Sequence, residues 1–163
     1  MSENWKIFPT LWEGYASVLV LKVSMLLLGP PQEIVGVLPG TSLLEGIALD
    51  WKHNRAYATD EKEGFYVIDL TSGAILGQVS NLHYPNEVVA IPGTSLAVEP
   101  DTGSNRAVFI DASTFTVKNR VTVGKFPTGV AVNARTKRVY VANRHSNTVS
   151  VIQLPRDWWT ANQ

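Results

Sequence analysis

The chain has 163 residues, 45% of them hydrophobic, and its 14 Lys and Arg balance its 14 Asp and Glu. That is enough apolar material for the core of one globular domain, and it excludes a disordered chain. Zero net charge removes any bulk attraction to nucleic acid or to an anionic membrane, and the absence of cysteine removes disulfides, thiol catalysis and thiolate metal sites.

In chain order, the first conspicuous segment is "YASVLVLKVSMLLLG" (15–29). It is shorter than the ~20 residues that cross a bilayer, and Lys22 interrupts it. Only Lys6 precedes it as a basic residue and no small-x-small cleavage site comes after it, so it lacks the marks of a signal peptide. Core strands and no membrane span are the expectation. "EGYAS" (13–17) resembles "RAYAT" (55–59), with Tyr15 matching Tyr57, which makes residues 1–40 a degenerate copy of the later units.

From residue 41 onward one pattern recurs. "GIALD" (46–50), "EVVAI" (87–91) and "GVAVN" (129–133) form a first set of strand-like runs at near-equal spacing. "RAYATD" (55–60), "SLAVEP" (95–100) and "RVYVAN" (138–143) form a second. "YVIDL" (66–70), "VFIDA" (108–112) and "SVIQL" (150–154) form a third, with Ile68, Ile110 and Ile152 evenly spaced. A fourth run, "AILGQVS" (74–80) and "TVKNRVTV" (116–123), ends the first two units only. Val, Ile, Tyr and Ala fill the runs, while Gly, Asn, Asp and Pro fall between them. Four short antiparallel strands repeating every ~40–45 residues predict an all-β chain of β-propeller blades. The predicted organisation is one domain: a degenerate partial blade at 1–40, blades at 41–80 and 81–124, an incomplete blade at 125–154 and a tail at 155–163. A small closed ring, an open arc and a ring completed by a partner all fit this count, and an open arc would self-associate through exposed blade edges.

"PTGVAVNARTKRVYVANRHSNTVSVI" (127–152) resembles the YVTN repeat of bacterial β-propellers, with Tyr140, Val141, Ala142 and Asn143 at the name-giving positions. "EGIALDWKHNRAYATDEKEGFYVIDLTSG" (45–73) resembles it too, with some likeness to the YWTD repeat at Tyr57 to Asp60. The middle unit departs from the pattern at Ala97 and Pro100. The likeness covers about 45–154. It implies a propeller fold and a bacterial, periplasmic or extracellular setting, although no clear signal peptide is present; it does not imply one activity, because this fold hosts lactonases, surface-layer proteins and binding scaffolds.

In the usual blade layout, the loops between the second and third strands share one face with the inter-blade loops. That gathers Asp60, Glu61 and Glu63; Asp101 and Asn105; Asn143, Arg144, His145 and Asn147; and Glu45, His83, Tyr84, Asn86, Glu87, Lys125 and Phe126. Of these, Glu45, Asp60, Glu61, His83, Tyr84, Asn86, Asp101, Asn143, Arg144 and His145 are the candidate binding residues. Glu45, Asn86, Asp101 and Asn143 offer hard oxygen ligands for calcium, as in gluconolactonase-type propellers, but Asn and Asp are also the ordinary residues of tight turns. His145 lacks a neighbouring nucleophile or carboxylate in sequence, and His53, His83 and His145 lack metal spacing. No catalytic residue is assigned and no cofactor is required. The expectation is a non-catalytic binding or interaction scaffold that uses the loops of one face, with a protein partner or a second copy. The alternatives are a lactonase-like hydrolase with a divalent cation at the mouth, which would take a small ligand, and a truncated propeller without activity of its own. Nucleic acid is disfavoured: Lys52, His53, Arg55, Arg135, Lys137 and Arg138 make the opposite rim basic, yet "PGT" (92–94) between them is uncharged.

Overall fold

Short runs of alternating apolar residues hide one face each only by pairing edge to edge and stacking the resulting sheets. A computed structural model describes residues 42–160 and shows this arrangement. The expectations placed on residues 1–40 lie outside the described residues. The first sheet is β1 (Leu44–Asp50), β2 (Arg55–Asp60), β3 (Gly64–Asp69) and β4 (Ile75–Val79), antiparallel in chain order. The second repeats that order with β5 (Val89–Ala90), β6 (Leu96–Asp101), β7 (Arg106–Asp111) and β8 (Thr116–Thr122). The third has three strands, β9 (Pro127–Asn133), β10 (Arg138–Asn143) and β11 (Thr148–Gln153), succeeded by one helical turn, α1 (Asp157–Thr160). No helix among the described residues is long and apolar enough to cross a membrane.

The sheets stack through two layers of side chains. Tyr57, Phe65 and Val67 of the first meet Val88, Ala97, Val108 and Ile110 of the second. Val98, Ala107 and Phe109 of the second meet Val130, Val139 and Val141 of the third. Each of these layers removes several large apolar side chains from water, at about 1.5–3 kcal/mol apiece. The first strands of the three sheets lie side by side, β1 against β5 and β5 against β9. Crowding there explains Gly46: a Cβ at that position would stand 2.8 Å from both the Asn86 carbonyl oxygen and the Glu87 Cα. Glu87 reaches across to accept the Val130 N–H at 2.9 Å, tying the second sheet to the third.

β5 is shorter than the run "EVVAI" suggests, with two residues in the ladder. Pro85 precedes it, and a turn closed by the Thr94 N–H on the Ile91 carbonyl comes at once after it, which leaves little backbone to pair. The turns after β3 and β7 obey their sequence: Asp69 accepts the Thr71 and Ser72 N–H groups, and Asp111 accepts the Ser113 N–H and hydroxyl. α1 carries Trp158 back onto the second sheet, where it meets Phe109 edge to face at 5.1 Å beneath the Lys118 ammonium.

Candidate binding site at the loop end

The turns after β2, β6 and β10 lie at one end of the sheets beside the segments that lead into β1, β5 and β9. The same backbone bonds join them in each sheet. Leu43 accepts the Glu61 N–H, Tyr84 accepts that of Thr102, and Phe126 accepts that of Arg144. A side chain at the end of the second strand completes the join in the first two sheets. Asp60 accepts the N–H groups of Ser42, Leu43, Lys62 and Glu63. Asp101 accepts the His83 N–H at 2.9 Å. Asn143 turns inward instead, donating to the Thr148 and Ser150 hydroxyls. Burial pushes the Asp60 carboxyl up, but the backbone N–H groups of Leu43, Glu63, Lys62 and Ser42 together hold it below the usual carboxylate range.

This geometry sorts the residues singled out from sequence. Asp60, Asp101 and Asn143 are buried, Asp60 and Asp101 as joints to the incoming segment and Asn143 within its own hairpin. Glu45 is exposed on β1. His83 is exposed and its Nδ1 lies 3.7 Å from Asp101. Arg144 and His145 gather on Phe126: the imidazole stacks on the ring at 4.1 Å, and the guanidinium lies 5.9 Å from its centre. Among the described residues no three His, Asp or Glu side chains come together as a metal cluster.

Glu61, Tyr84 and Asn86 do converge, with Thr102, Gly103, Asn105 and Phe126, around an open cavity of about 500 Å³. Sequence reasoning does not single out Thr102 and Gly103. They come after Asp101 in the turn "DTGSN", and their repeat equivalence to Arg144 and His145 is the signal that could have found them. Gly103 is there because the His83 carbonyl and the Tyr84 ring come so close that a Cβ would sit 2.7 and 2.9 Å from them.

Tyr84 and Phe126 occupy matching places in successive repeats, each directly before a proline. Both have left-handed backbones, at φ 59° and 54°. A bulky residue in that region is uncommon, and such residues persist only where the surroundings enforce them. Here the surroundings do so: the Phe126 N–H donates to Asn105 Oδ1 at 2.8 Å while its carbonyl accepts from Arg144 at 3.0 Å. Tyr84 remains 58% exposed at the mouth.

No family model matches this chain, and no curated protein matches it. Solved structures do. A Kuenenia stuttgartiensis hydrazine synthase chain is similar over 75% of this chain at 18% identity, with a TM-score of 0.63. A chain of the mitotic checkpoint complex is similar over 74% at 18% identity, with a TM-score of 0.68. Both are propeller-type proteins, and the likeness shows an all-β, propeller-like fold. This chain spans 36% and 39% of their lengths.

Proposed function

We propose that this chain is a non-catalytic interaction module, built of YVTN-type blades, that holds a segment of a protein partner at the loop end. One observation carries the reading: Tyr84 and Phe126 are held in strained, matching backbone conformations on the wall of one cavity. Such strain costs about 1–3 kcal/mol per residue, and strained residues cluster at binding sites. The chemistry agrees. Two aromatic side chains, the Glu61 carboxylate and the Asn86 and Asn105 amides line it together, and apolar surface beside polar groups is the usual make-up of an interface anchor. The likeness to a chain from a multi-protein assembly supports the same reading.

Tyr84→Gly separates binding from folding. Glycine suits φ 59°, so the melting temperature should stay level or rise. Peptides selected from a displayed random library on the wild-type chain should bind the variant at least about 10-fold more weakly. Selected peptides that bind both chains equally would refute the site.

A further inference from the structure

The chain builds one packing surface three times. Strand register identifies it: Ala48 opposite Tyr57 opposite Val67 in the first sheet, Val89–Val98–Phe109 in the second, Ala131–Tyr140–Val151 in the third. The first set lies under the second sheet and the second set under the third. Val67 and Phe109 are 0% exposed as a result. On the third sheet the same face is open, with Val151 55% and Val149 61% exposed.

We propose that this face of the third sheet docks a second copy of the chain, the two faces meeting about a two-fold axis. This surface is separate from the loop-end cavity, so either reading can fail alone. The face matches two surfaces that the molecule already buries, and at matching positions it has the composition of a covered surface. Its own side chains at the centre hold no charge: Gly129, Ala131, Tyr140, Ala142, Val149 and Val151. Glu87 of the second sheet comes up beside Gly129 at the inner margin, where its carboxylate is already bonded to the Val130 N–H. The one cation on the face, Arg138, lies at an end, bonded to Gln153 at 3.1 Å. At the centre a copy of the face therefore meets no like charge, and the chain as a whole carries none in excess. Its relief suits itself as well. Small side chains on β9 lie beside bulky ones at Tyr140, Val149 and Val151, so a two-fold axis along the strands sets the bulky half of one copy over the small half of the other. The rim adds backbone. β11 reads "TVSVIQ", without lysine, proline or bulge, and no strand pairs its outer edge among the described residues. β8, the outer strand of the second sheet, instead carries Lys118 and Arg120, the charges that keep an edge single.

Sedimentation velocity on the full chain at rising concentration tests this. A reversible dimer should appear by about 100 µM. Val151→Glu places a charge in the interface and should weaken the dimer at least about 30-fold, with the far-UV circular dichroism and melting of the monomer unchanged. Leu76→Glu, on an exposed apolar residue of β4, should leave the mass alone. The chain has no cysteine, so the pair Ala131→Cys and Val151→Cys, one in each half of the face and too far apart to join within one copy, should form a covalent dimer on mild oxidation. A monomer at about 100 µM overturns the proposal, whether the face stays bare or another part of the chain covers it. So does a dimer that Val151→Glu leaves intact, or, if that variant misfolds, one that the Ala131→Cys, Val151→Cys pair fails to trap.

Discussion

Glu99 is fully buried on β6, and neither carboxylate oxygen has a hydrogen-bond partner. Burial, with the Asp101 charge nearby, pushes its pKa well above the ordinary range and favours the neutral carboxyl in the native chain. The unfolded chain ionises near pH ~4.3. Stability is therefore full below that pH and declines as pH rises toward the native pKa. Glu99→Met keeps the volume and removes the orphaned oxygens. It should stabilise the fold at pH 7 by about 1–3 kcal/mol in urea titrations and flatten the decline that sets in above the unfolded-state pKa. Asp60 runs the other way. Its native pKa is depressed, so its contribution is present above the ordinary carboxylate range and lost as pH falls through the native value. Asp60→Asn should cost about 1–3 kcal/mol at neutral pH, with the gap to wild type closing as pH falls through the depressed native pKa. Sequence places Asp60, Asp101 and Asn143 at the correct end of the strands, but does not give their direction. A carboxylate that serves backbone N–H groups has the same letter as one that faces a ligand, and burial tells them apart.

Among the elements, the runs of Val, Ile and Tyr make ten of the eleven described strands plain, because their period of two and their turn residues agree. β5 is the exception: five residues of suitable composition yield two of ladder, as flanking turns take the rest of the backbone. The cavity is partly legible. The repeat aligns Tyr84 with Phe126, but a left-handed backbone before proline has no letter of its own. Gly46 marks where two elements touch. Gly46→Ala should cost about 1–3 kcal/mol by thermal or urea melts, since the nearest obstructing atoms are backbone and cannot rotate away. The loss should reach β5 too, seen as faster amide exchange at Val89 and Ala90.

At the scale of the molecule, the sheets form a row in which each one covers its neighbour and the third exposes what the others hide. The joints at Asp60 and Asp101 decide where one unit of that row begins. Ser42 and Leu43 are bound by Asp60, and His83 by Asp101, before either sheet's first strand starts. The transplantable module is thus offset from the strand-to-strand repeat: it opens with its entry linker, not with its first ladder residue. Gene segments cut at strand boundaries would separate each latch from its keeper. Segments cut just upstream of Ser42 or His83 would carry both, and only those could be duplicated or exchanged without leaving a buried carboxylate unanswered.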